Sequence, residues 1–109
     1  MTANRLILSL STLAILAQTT FAIAAGDSIQ EAQQLVNDLC ATCHSVDGVS
    51  ADDAFPNLAG QKHGYLVKQL TDFRSKARDN ETMGPIAETL DDRMIDALAT
   101  YYSSLPAGK

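Results

Sequence analysis

The sequence predicts an all-α fold, and three observations carry that prediction. Apolar residues recur at steps of three and four in three stretches, from Ile29 to Cys40, from Lys62 to Arg78 and from Asp91 to Leu105. Segments marked by glycine, proline and acidic residues, Ser45 to Gly60 and Asp79 to Pro85, separate them. The third observation is size. About 85 residues remain once an N-terminal leader is set aside, and with no tryptophan they bury only a small apolar core, so a chain of this kind needs a staple.

The leader comes first in the chain. Leu6 to Leu16 form an apolar run behind Arg5, followed by Gln18, Thr19 and Thr20 and then Ala22-Ile23-Ala24-Ala25. This reads as a cleaved secretory signal peptide of residues 1–24, with cleavage after Ala25 as the alternative, leaving a single domain of residues 25–109. A membrane anchor fits less well, because the strongly apolar core is about 11 residues and a spanning helix needs about 20. Removing the leader takes away one basic residue and no acidic one, so the formal charge falls from -5 to about minus six. A sequence-independent phosphate binder needs the opposite sign, which argues against nucleic acid as a partner.

Ser28 and Glu31 have the spacing of a capping box opening the first helix. Ile29, Ala32, Leu35, Val36, Leu39 and Cys40 then share one face, with Gln30, Gln33, Gln34, Asn37 and Asp38 on the other. The helix delivers Cys40-Ala41-Thr42-Cys43-His44. Two thiols three positions apart with a histidine directly after are the arrangement that attaches haem c, each thiol adding across a vinyl group and His44 standing beneath the iron. Cys40 and Cys43 are the only cysteines in the chain. Three other readings compete. A redox-active dithiol sits at a helix start after a strand, whereas this motif ends a helical pattern. A zinc site could count Cys40, Cys43, His44 and His63, although His44 next to Cys43 fits a tetrahedron poorly. A plain disulfide needs no histidine.

From Ser45 to Gly60 the pattern breaks, with Asp47, Asp52 and Asp53 among Gly48, Pro56 and Gly60, as expected of a loop wrapping one haem edge. Taken alone, Pro56 reads as a rigid turn, although its carbonyl is also free to accept from an axial histidine. The second helix is expected from Lys62 to Arg78, with Leu66, Leu70, Phe73 and Ala77 as its stripe and Tyr65 beside them. His63 at its start reads as surface rather than as a rival iron ligand. Lys62, Lys68, Arg74, Lys76 and Arg78 face only Asp72 in this stretch, which predicts an electrically polarised molecule able to steer a charged partner.

Asp79 to Pro85 reads as a turn-rich loop carrying Met83. The third helix is expected to be capped by Asp91, with Ile95, Leu98, Tyr102 and Leu105 as its stripe and Met94 one residue off it. Tyr101 and Tyr102 are expected to pack this helix on the first.

Together, the Cys40 to His44 motif, Pro56-Asn57-Leu58-Ala59-Gly60-Gln61 and Tyr65-Leu66-Val67-Lys68-Gln69-Leu70 resemble the class I c-type cytochromes, in their small bacterial single-haem branch. The similarity runs from about Ile29 to Leu105. The resemblance implies three main helices and loops wrapped around one covalent haem c. It implies that the Pro56 carbonyl accepts from His44, and that Met83, in a Met-Gly-Pro-Ile-Ala segment similar to the family's, is the sixth ligand in preference to Met94. It also implies haem attachment outside the plasma membrane, hence a soluble protein of the periplasm.

Histidine on one face and thioether sulfur on the other close the iron's coordination, which suits a change of oxidation state with little rearrangement and raises the potential. The expected function is a one-electron carrier and not an enzyme. It would dock transiently with redox donors and acceptors, such as a quinol-oxidising complex or dehydrogenase and a terminal oxidase or reductase. A haem domain with a labile sixth ligand that binds small molecules or does catalysis, and a dedicated subunit of one oxidoreductase complex, are the alternatives.

Overall fold

The computed structural model describes residues 16–108, with side chains from Gly26 onward. Arg5 and most of the apolar run of the expected leader lie outside these residues. Among the described residues all regular structure is helical, as the apolar periodicity predicts. Helix α1 (Leu16–Leu35) passes into a five-residue π-helical turn (Val36–Cys40) and then into α2 (Ala41–His44). After a long loop come α3 (His63–Ser75), the short α4 (Met83–Glu88) and α5 (Asp92–Ser104).

Helix α5 lies at the centre, packed against α1 and α3, while α4 packs on α3. Its Ile95, Ala97, Leu98, Ala99 and Tyr102 are buried together with Ala32 and Val36 from the first helical run, Leu66 from α3, and Leu90. Ala32 and Ala99 have no exposed surface at all, so small side chains let the helices approach closely. The predicted Asp91 cap is formed, its Oδ1 accepting from the Met94 amide at 2.7 Å.

Polar clamps span the helix junctions. Arg93 donates to Ser28 Oγ at 3.0 Å and to Glu31 Oε2 at 2.6 Å. Arg74 reaches the Leu90 carbonyl at 3.0 Å and Asp92 at 2.6 Å. His63 Nε2 meets Asp96 Oδ1 at 2.9 Å. These pairs are at least partly solvated, so they fix the geometry of the helix junctions more than they add stability.

The structure changes several local expectations. Ser28 and Glu31 lie inside α1 rather than at its start, and both bond to Arg93 across the helix pair. Helix α3 stops at Ser75, because Lys76 takes the left-handed conformation (φ 65°) and its amide returns to the Phe73 carbonyl; Ala77 is therefore beyond the helix and exposed. Tyr65 is half exposed rather than packed with the stripe. Met83 begins a helix instead of lying in a loop. Pro85 permits this because it stands in the first turn, where backbone amides have no intrahelical partner to lose. Tyr102 packs in the core as expected, whereas Tyr101 donates to the Val46 carbonyl at 2.8 Å and so pins the loop after α2.

That loop leaves α2 through Ser45, at φ 64° and ψ 158°, a region normally reserved for glycine. Three residues on, Gly48 (φ 70°) is where the loop, Ala59 and Tyr102 converge. A Cβ placed there would stand 2.8 Å from the Ala59 nitrogen and 3.0 Å from Tyr102 Cδ1. Substitutions at these two turns have opposite expected signs. Ser45→Gly should raise the unfolding free energy by about 1 kcal/mol by relieving the backbone. Gly48→Ala should lower it by about 2 kcal/mol through the clash and the positive φ. Denaturant melts of the haem-loaded protein compare the two, and a stabilising Gly48→Ala would contradict the described junction.

Candidate haem-attachment site

Cys40 closes the π-helical turn, and Cys43 and His44 fall in the next turn of chain, so one short helical segment carries all three. π-Turns concentrate at functional sites because the extra residue re-aims the side chains that follow. Both cysteines are free thiols, which sets aside the disulfide reading. Among the described residues no three His, Cys, Asp or Glu side chains cluster closely enough to hold a metal, and His63 is paired with Asp96. The four-ligand zinc reading has no support in this geometry.

His44 is a buried polar side chain, 6% exposed. Its Nδ1 lies 2.9 Å from the Pro56 carbonyl, and the Phe55 ring stands edge-on to the imidazole with centroids 6.4 Å apart. A carbonyl only accepts, so Nδ1 carries the proton. The Nε2 lone pair is then left for a metal, and the ring orientation is fixed from behind.

Cys40 is half-buried, and loss of solvent pushes its thiol pKa up, opposed by hydrogen bonding from its own backbone and from Tyr102. Burial, followed by the neighbouring Cys40, pushes the Tyr102 phenol up in turn. The Tyr102 hydroxyl is buried and has no nitrogen or oxygen partner among the described residues; its polar neighbour is the Cys40 sulfur, a weak acceptor. A buried imidazole whose Nε2 has no hydrogen-bond partner among the described residues, and two thiols on one helical segment, fit a covalently attached haem.

Met83 is partly buried at the first position of α4. Its amide and that of Thr82 both donate to Asn80 Oδ1, at 2.7 and 3.0 Å. Met94 is elsewhere, packed against the core on α5 and lining an open groove with Asp27, Glu31, Leu35 and Asp38 of the first helical run. The two methionines thus belong to different surroundings: both amides are held by a capping side chain, Met83 by Asn80 at the start of α4 and Met94 by Asp91 on α5.

Sequence reading missed Asn80, the Tyr102 hydroxyl, Ser50 and Asn57. Asn80 had a signal, since an asparagine with donors two and three residues on is a capping geometry. A tyrosine on an apolar stripe reads as core and says nothing of its hydroxyl. Ser50 and Asn57 bond across seven residues of irregular chain, for which no periodicity exists.

Comparison with known proteins agrees with this geometry. The family profile for cytochrome c matches residues 29–106. A thiosulfate dehydrogenase electron acceptor of Stutzerimonas stutzeri (strain A1501) is 51% identical over 69 residues, covering 62% of this chain and 32% of that protein. A cytochrome c4 of Pseudomonas aeruginosa is 38% identical over 101 residues, covering 93% of this chain and 48% of the relative. The solved cytochrome c4 of Acidithiobacillus ferrooxidans superposes with a TM-score of 0.66 at 35% identity, over 72% of this chain and 50% of that one. The chain therefore spans about half or less of the length of each of these three. The profile reaches from the middle of α1 to the end of α5, so the chain belongs to the cytochrome c family, with the class I fold and the covalent haem c that the family carries.

Proposed function

We propose that the protein is a single-haem electron carrier in which Cys40 and Cys43 form the thioethers, His44 and Met83 bind the iron, and Pro56 orients His44. The observation that carries this reading is the buried His44 with Nδ1 on the Pro56 carbonyl at 2.9 Å and, among the described residues, no hydrogen-bond partner on Nε2. Bound haem c supplies a one-electron couple between ferric and ferrous iron. The chain's own residues would hold His44 in one tautomer through the Pro56 carbonyl and present Met83 with its amide fixed by Asn80. A rigid ligand set costs little reorganisation when the charge on the iron changes, which favours electron transfer over small-molecule binding.

The reading extends to export. Residues 1–24 are a leader removed after Ala24, and residues 25–109 form the working domain in the periplasm. Among the described residues no helix is long and apolar enough to cross a membrane, which is compatible with a protein that works outside the lipid. The Stutzerimonas relative bears the name of an electron acceptor for thiosulfate dehydrogenase, so an oxidoreductase is the class of donor proposed here, with transient docking.

Two measurements test these assignments. Met83→Ala should abolish the weak long-wavelength sulfur-to-iron band of the ferric protein and lower its potential by on the order of 0.1 V, while Met94→Ala leaves both unchanged. Loss of the band in Met94→Ala alone would reassign the ligand. The intact mass of the exported protein should equal residues 25–109 plus one haem, and a mass retaining the first 24 residues would remove the leader.

A further inference from the structure

The loop between α2 and α3 is held by side-chain bonds that ligation itself does not use. The Ser50 amide donates to Asn57 Oδ1 at 2.7 Å. The Ser50 hydroxyl lies 2.9 Å from the Cys43 carbonyl and 3.0 Å from the Asp52 carbonyl, donates to one of them, and accepts from the Asp52 amide at 3.1 Å. Nearby, the Gly48 carbonyl accepts from the Leu58 and Ala59 amides at 2.8 and 3.0 Å. Pro56 sits inside this frame with no amide hydrogen of its own and an exposed ring, so its carbonyl is placed by its neighbours. With the Ser50 hydroxyl proton on its nearer acceptor, the Cys43 carbonyl, Asn57 is tied through Ser50 to the residue before His44.

We propose that Ser50 and Asn57 form a clasp that positions the Pro56 carbonyl on His44 Nδ1 and thereby sets how strongly His44 donates to the iron. The inference rests on His44 being an axial ligand. Donation from Nδ1 to a carbonyl makes the imidazole more basic, and a more basic ligand favours the ferric ion over the ferrous. That bond weakens steeply as its distance and angle drift, so a clasp on both flanking residues acts on the iron without touching it. Ser50 and Asn57 are positioning residues, with an effect distinct from general loop stability.

The experiment uses the haem-loaded protein and follows the His44 ring signals by NMR together with the ferrous-to-ferric ratio at a fixed poise. Asn57→Ala should speed exchange of the Nδ1 proton by about tenfold and shift the ratio towards ferrous by about threefold. Ser50→Ala, which keeps its amide on Asn57 but releases the Cys43 carbonyl, should give a smaller change of the same sign. Asn57→Asp keeps the acceptor and should restore slow exchange. Arg93→Ala, a surface clamp elsewhere, should leave both readouts unchanged even where it lowers stability. If Asn57→Ala and Ser50→Ala destabilise the protein while exchange and ratio stay at their original values, the clasp is only structural and the proposal is overturned. If the His44 ring shows no hyperfine shift in the ferric protein, its ligand role falls and the clasp's influence with it, a result distinguishable from the first.

Discussion

The 2.9 Å hydrogen bond between His44 Nδ1 and the Pro56 carbonyl imposes a constraint on most of the chain around it. An imidazole buried to 6% exposure needs that partner, because an unpaired polar group in a small core costs about 1–3 kcal/mol. The partner is twelve residues further on, so the chain must reverse as soon as the helix ends. Ser45 turns it at φ 64°, and Gly48 lets the returning strand of loop pass against Ala59 and Tyr102. The strained turn and the tight glycine junction are what it takes to bring a carbonyl lacking a competing amide hydrogen onto a buried histidine.

Much of the fold was legible because it rests on local rules. The stripe Ile95, Leu98 and Tyr102 and the Asp91 cap follow from helical periodicity and from orphan amides at a helix start, and both are present. Failures occurred where a local signal had two meanings. Pro85 signals a break but also suits a first turn, and so Met83 opened a helix that the turn residues had concealed. Ser28 and Glu31 carry the pattern of a helix start, yet the helix runs through them and their oxygens serve Arg93 instead. At the site, the spacing of Cys40, Cys43 and His44 was visible in the sequence. The bonds of Ser50, Asn57 and Asn80, which fix the backbone around it, depend on loop geometry that a linear pattern does not encode.

The electrostatic picture also changes between sequence and structure. A stretch with five basic residues suggested a one-signed face, but folding brings acids to it. Lys68 pairs with Asp72, Arg74 with Asp92 and Lys76 with Glu88. Arg78 lies over the Phe73 ring, 4.5 Å from its centroid, and donates to Gln69. Three of the five basic residues are thus paired with acids, which weakens the field that this stretch projects.

The end of the chain lies over the same loop. The Gly60 amide donates to the Tyr102 carbonyl at 3.0 Å, and a Cβ on Gly60 would stand 2.7 Å from Ala107. Around Gly108 the backbone runs so close to Val49 and Asn57 that a Cβ there would meet both within 3.2 Å. Close packing of this kind couples Ala107 and Gly108 to the segment bearing Pro56, although about half the chain separates them in sequence. The segment that places the Pro56 carbonyl on His44 is in this way backed by residues 107 and 108, so its rigidity is set from outside the loop as well as within it.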